Sequence, residues 1–164
     1  MADWKFQEQF VVPQAIDEVS TTEKVKLGTR VTAYHATYGM GEFVYVKGVT
    51  NGAAGYWVTI NPEGWGTTLL AANAIGDVGV LMAALDASTD YGWAQVYGLA
   101  NAYSADVADS GKVYIDTAAG RADDAVVVGD RVNRAKWASN DDTATSKALA
   151  RLWYPFVTDQ KDAT

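Results

Sequence analysis

Four aspartates occur as adjacent pairs, Asp123 with Asp124 and Asp141 with Asp142, and paired carboxylates are what a glycosidase uses as general acid and base. Neighbouring residues of an extended chain point to opposite faces, and "SNDDTATS" reads as an exposed loop, so solvated turns are the simpler account of both pairs. The same acids do not fall into a calcium-loop spacing, and no metal site is expected. A nucleophilic hydrolase needs a base. The single histidine, His35 in "TAYHATYG", sits in an extended run, and Ser20, Ser88, Ser104, Ser110, Ser139 and Ser146 lie in no nucleophile-elbow pattern.

"YGMGEF" carries Gly39 and Gly41 but lacks the third glycine and the strand-to-helix setting of a phosphate-cradling loop, so it reads as a turn into a strand. No cofactor is expected. What remains are six tryptophans. Trp57, Trp65 and Trp93 are candidates to stack on sugar rings in a binding module; the simpler account is that they fill a core or a subunit interface.

The elements that would hold these residues are strands. Fifteen Gly and nine Tyr against three Pro suit a sheet protein with many tight corners. In "YGWAQVYGLANAY" (91–103) the large residues Tyr91, Trp93, Gln95, Tyr97, Leu99, Asn101 and Tyr103 alternate with small ones, the period of an extended chain. The length and Gly98 predict two strands or one sharply bent strand. "GEFVYVKGV" and "GYWVTINPEG" also alternate, with "TNGAAG" between them as a hairpin connection and "NPEG" as a turn. "DVGVLMAALDA" fits both periods, and Gly79 tips it toward strand. "KVYID", "AVVVGDRV" (125–132) and "ALARLWYPF" complete a series of short strands. Their spacing predicts a mostly β fold, a small antiparallel barrel or sandwich.

Residues 1–26 lack period two and read as an extended N-terminal arm ahead of a β domain over 27–164. Trp4, Phe6 and Phe10 either reach a neighbour or dock on the chain's own body. At 164 residues without cysteine, the chain can bury roughly 68–70% of its unfolded surface without a covalent staple. Thirteen basic against twenty acidic residues give a net charge of −7, which opposes approach to phosphate backbones, and Lys24 with Lys26 is too small a basic cluster to offset it. Nucleic acid is not an expected partner. No segment approaches the roughly 18 apolar residues of a membrane helix, and the N-terminus is too acidic for a signal sequence.

Taken together, "GEFVYVKGV", "TTLLAANAIGDVGVLMAALDASTDYGWAQVYGLANA" and "DAVVVGDRV", with "LWYPFV" further on, resemble a family of capsid decoration, or cement, proteins of tailed bacteriophages. The most specific part is "DYGWAQVYG". The resemblance covers about residues 28–132 and implies a compact tulip-like β body without catalytic residues. It further implies a homotrimer bound to the major capsid protein on the outer surface of a head assembled in the bacterial cytoplasm. Interface candidates on that reading are Trp4, Phe6, Phe10, Tyr91, Trp93 and Tyr97. A tail or fibre component with a carbohydrate-binding role is the alternative.

Overall fold

The computed structural model describes residues 4–6 and 12–158. Among them all regular structure is strand: β1 (Trp4–Phe6), β2 (Arg30–His35), β3 (Gly39–Lys47), β4 (Trp57–Ile60), β5 (Thr67–Leu69), β6 (Gly76–Leu81), β7 (Tyr91–Tyr103), β8 (Lys112–Ile115), β9 (Ala122–Asp123), β10 (Arg131–Trp137) and β11 (Lys147–Val157). They form one antiparallel sheet in the order β1-β2-β3-β7-β6-β11-β10-β8-β9, with β4 and β5 added on β6, and the sheet is not closed. The mostly β architecture expected from the sequence is therefore the one observed.

β7 is the seam of the molecule. Its first half pairs with β3, from Lys47↔Tyr91 to Glu42↔Tyr97, and its second half pairs with β11, from Trp153↔Tyr97 to Lys147↔Tyr103. Between the halves Gly98 takes φ +96°, a left-handed conformation open to glycine and strained for other residues. The stretch is one bent strand. Its small face is also explained: Ala94 and Val96 join an apolar cluster with Val44, Val46 and Val58, and Ala100 and Ala102 join another around Trp57 and Trp137. A side chain at Gly92 would meet Leu85 Cδ2 at 2.7 Å, so small residues here set how closely the layers approach.

The opposite face of the β3–β7 pair is apolar too, which is why β3 reads as a nearly continuous hydrophobic run. Phe43, Tyr45 and Trp93 point that way and pack with Ile16, Val31 and Ala33. Chain from the first 26 residues covers them. Gln14 and Ile16 are buried, the Gln14 amide donates to Tyr91 O at 2.9 Å, Ser20 bridges to Tyr91, and β1 pairs with β2 through Trp4↔His35. The described part of the expected arm is thus docked on its own body, because β3 and β7 carry large apolar side chains that would otherwise face water.

Two local expectations are corrected. β3 and β4 do not form a hairpin, since β3 is flanked by β2 and β7 while β4 lies between β5 and β6; the connecting loop instead bonds to the 85–90 region, with Val49 N donating to Leu85 O and Gly48 N to Asp90 O. "AVVVGDRV" is not a strand along its length, for β10 begins only at Arg131 and Val126–Val128 lie in the preceding loop.

Candidate functional sites

The sequence-derived candidates separate by burial. Trp57 and Trp93 are fully enclosed, and each satisfies its indole N–H internally, Trp57 on Tyr103 O at 3.1 Å and Trp93 on Gln14 O at 3.3 Å. Neither can stack on a sugar. Trp65 is half-buried and lies over Gly28, where a Cβ would fall 2.3 Å from its ring. Trp93 is a core residue of the folded chain, not a surface anchor. Tyr91 is half-buried, its ring stacked on Tyr45 at 6.4 Å. Tyr97 is 39% exposed. Trp4 is half-buried, edge-on to Phe43 at 4.9 Å and tilted against His35 at 5.0 Å. Phe6 pairs through its backbone with Ala33, and Phe10 lies outside the described residues.

Around Tyr97 the structure assembles an aromatic cleft that the sequence reading missed in part. β11 carries three residues, Trp153, Tyr154 and Pro155, between the register partners Asn133↔Phe156 and Ala135↔Leu152, where β10 has only Arg134. The bulge turns Trp153 and Tyr154 outward, and both are exposed. Tyr154 and Arg134 have φ 55° and 58°, a strained conformation for such residues, and strain of this kind tends to collect at working surfaces. Tyr154 is braced from several sides. Its hydroxyl donates to Glu42 at 2.6 Å, Arg30 bonds the same carboxylate at 3.1 Å and lies 5.8 Å from the Tyr154 ring centre, and the Tyr97 ring is 5.4 Å away. The bond to Glu42, with some burial, raises the Tyr154 hydroxyl above its ordinary pKa. Beside this bulge lies an open groove of about 300 Å³ lined by Tyr38, Met40, Tyr97, Arg151 and Trp153.

His35 has a structural task. Its Nδ1 accepts the N–H groups of Thr37 and Tyr38 at 3.0 and 3.3 Å, and its ring stacks on Tyr38 at 4.3 Å. It holds the turn that carries one wall of the cleft.

A second surface is apolar. Val126 and Val128 are 74% and 68% exposed, with Val127 between them at 42%. Asp130 anchors this loop: its backbone N–H donates to Val127 O at 3.2 Å and its carbonyl accepts from Ile115 N. Its carboxylate accepts from Asn73 N at 2.9 Å. That last bond ties the valine loop to the turn carrying Ile75, also largely exposed.

The carboxylate pairs do not form a general acid–base couple. Asp124 accepts from Ala108 N at 2.9 Å. Asp141 accepts from the Ser104 hydroxyl, and Asp142 caps its own turn through Ala144 N and Thr145 Oγ1. Asp123 instead meets a carboxylate seven positions away, because the Ile115↔Ala122 register of the β8–β9 hairpin brings Asp116 beside it. Burial works against ionisation of Asp116. The N–H of Ala118 and the Arg121 guanidinium, at 3.0 and 2.6 Å, outweigh that and hold Asp116 below the usual carboxylate range. Asp123 is pushed up to about 6, chiefly by burial and then by the charge on Asp116. Between the ordinary unfolded value near 4 and about 6, the folded chain binds more protons than the unfolded one, so stability falls as pH rises through that window. Asp123→Asn keeps the acceptor for Ala125 N and removes the charge. It is expected to stabilise the protein at pH 7 by on the order of 1 kcal/mol, after discounting for solvent screening at this half-buried site. It should also flatten the pH dependence between 4 and 6, as measured by urea unfolding across pH; an equal slope in both proteins would contradict this.

Comparison of the chain with models of protein families, with curated proteins and with solved structures finds no match.

Proposed function

We propose that the chain is a structural protein of a bacteriophage virion, a decoration or cement protein that associates as a homotrimer, seats on the outer surface of the head against the major capsid protein and ties neighbouring capsid subunits together. The valine loop is the observation that carries this reading. Three consecutive exposed apolar residues, anchored at their base by Asp130, form a surface that a folded chain rarely leaves uncovered without a partner. The partner's identity comes from the resemblance of "DYGWAQVYG" and its flanking runs to decoration proteins. A net charge of −7 suits an outer face turned away from packaged nucleic acid. The mechanism needs no bond to be made or broken. Binding only the assembled lattice shifts the equilibrium away from dissociated subunits by mass action.

The test is co-sedimentation with heads that lack the protein, using the natural chain and a variant combining Val126→Ser, Val127→Ser and Val128→Ser. The natural chain should saturate in fixed ratio to the major capsid protein. The variant should fold normally, because the loop is exposed, and bind roughly thirtyfold more weakly, equivalent to about 2 kcal/mol at a buried anchor. Failure of the natural chain to saturate the heads would overturn the capsid assignment, and equal binding by both proteins would overturn the role of the loop.

A further inference from the structure

We infer that copies of this chain meet through a row of cations, Lys112, Lys136 and Arg151, which receives an aspartate-rich corner of the neighbouring copy. The row is set by register. Lys136 on β10 lies opposite Arg151 on β11 and opposite Lys112 on β8, and residues directly opposite in antiparallel strands share a face. All three are exposed, while Val113, Trp137, Ala150 and Leu152, their neighbours in sequence, are buried on the other face. With strands about 4.8 Å apart, the three positive charges are rooted along roughly 10 Å of surface.

Like charges directly opposite one another weaken a sheet. The chain holds twenty acidic residues against thirteen basic ones, so composition alone would sooner set an acid among these cations than a third base. Among the described residues none of the three makes an ion pair. Arg151 lies over the Trp153 ring, 6.0 Å from its centre, a contact that brings no counter-charge. An anionic surface laid on the row removes the repulsion.

The chain carries such a surface itself. Three loops are tied together where Asp141 N donates to Val107 O at 3.0 Å, Asp109 N to Asn140 Oδ1 at 2.9 Å and Ala108 N to Asp124 Oδ2 at 2.9 Å. They gather Asp106, Asp109, Asp124, Asp141 and Asp142 into one corner, and among the described residues none of the five is ion-paired. A corner held in this way is organised before contact, which lowers the ordering cost of association.

The corner adjoins the row. Ser110 N donates to Trp137 O and Trp137 N to Gly111 O, so Asp109 stands beside the strand ends that carry Lys112 and Lys136. This juxtaposition selects the occupant. A phosphate backbone drawn to the row would meet the aspartates next to it and be repelled. A second copy offers its corner to the row and keeps its own row for the corner of the next copy. Each chain then engages two neighbours, and head-to-tail contacts of this kind close into a ring when the rotation between copies allows. The inference rests on the association of copies proposed above and not on the capsid assignment.

The test is sedimentation velocity of the full chain without heads, over a range of protein concentrations, at about 50 mM and about 500 mM NaCl. The natural chain should associate at the lower salt and about tenfold more weakly at the higher. Lys136→Glu with Arg151→Glu, and separately Asp109→Lys with Asp142→Lys, should each weaken association by at least about tenfold. The chain with all four changes keeps the net charge of −7, because the two pairs of reversals cancel, and should associate again, since the signs are exchanged across the contact. All four positions are exposed, so each variant should keep the circular dichroism of the natural chain; if Asp142→Lys unfolds its turn, Lys136→Glu with Asp109→Lys repeats the exchange. Association unaffected by either pair of reversals would overturn the inference, as would a four-change chain that stays dissociated, or a single-stranded oligonucleotide that displaces the neighbouring copy from the row. A natural chain that is monomeric throughout would overturn it together with the homotrimer, and saturation of heads by that monomer would leave the capsid assignment standing.

Discussion

Trp93→Ala is expected to remove about 3–5 kcal/mol of folding stability, the range for deleting a buried tryptophan. The side chain is fully enclosed, lies edge-on to Tyr45 with ring centres 4.9 Å apart, and donates its indole N–H to Gln14 O. Alanine would leave a cavity where β7, β3 and the N-terminal segment meet, and would take a donor from a buried carbonyl. The segment around Gln14 cannot collapse freely into that space, because the Gln14 amide also bonds Glu18 O and Tyr91 O and accepts from the Tyr45 hydroxyl at 2.5 Å. In urea, with a slope of about 2 kcal/mol per molar, the unfolding midpoint should fall by roughly 2 M. Trp153→Ala is the contrast: its side chain is exposed on the β11 bulge, and its midpoint should move by no more than about 0.5 kcal/mol equivalent. If the two variants unfold at the same urea concentration, the assignment of Trp93 to the core is wrong.

That pair of tryptophans shows which properties are legible in a sequence. Alternation in 91–103 and 41–49 identified β7 and β3, because the two-residue period of an extended chain is a local property. Which face of such a strand is covered is not local. Tyr91 and Trp93 are interface candidates by residue type, yet Val12, Ile16 and Val25 of the same chain pack against them. Trp57 and Trp93 were plausible sugar platforms by residue type, and only the contacts of distant strands bury them. The exposed tryptophan of the cleft is Trp153. A signal for it existed: Pro155 cannot donate to a strand ladder, and a proline within an extended run marks a bulge or an edge. "AVVVGDRV" misled for the converse reason. Valine favours pleated surfaces, but Asp130 ties the segment into a loop through the backbone of Asn73, a contact between residues 57 apart. The Asp116–Asp123 pairing was equally invisible, since it depends on hairpin register; adjacency in the sequence pointed instead to Asp124.

Gly98→Ala tests the bend on which the cleft depends, and a loss of about 2–4 kcal/mol is expected from two separable causes. The first is conformational: φ +96° is strained for any residue with a Cβ, at about 1–3 kcal/mol. The second is steric, because the new methyl would fall 2.4 Å from Met40 O and 3.1 Å from Gly41 Cα. Those are backbone atoms of the paired strand, which can yield only if β3 moves, and overpacking of this kind costs about 1–3 kcal/mol. Gly39→Ala isolates the first cause. Gly39 has φ +76° but no atom within 4 Å of the added methyl, so its loss should stay near 1 kcal/mol. The methyl at position 98 would also sit 3.3 Å from Gln95 Nε2 and press on the amide that bonds Tyr97 O and Leu99 O. The position 98 variant should therefore unfold at clearly lower urea than the position 39 variant, and the amide resonances of Gln95, Tyr97 and Leu99 should shift in the folded protein. Equal destabilisation by the two would mean that β3 gives way without resistance, and that close contact at Gly98 does not hold the two halves of β7 in place.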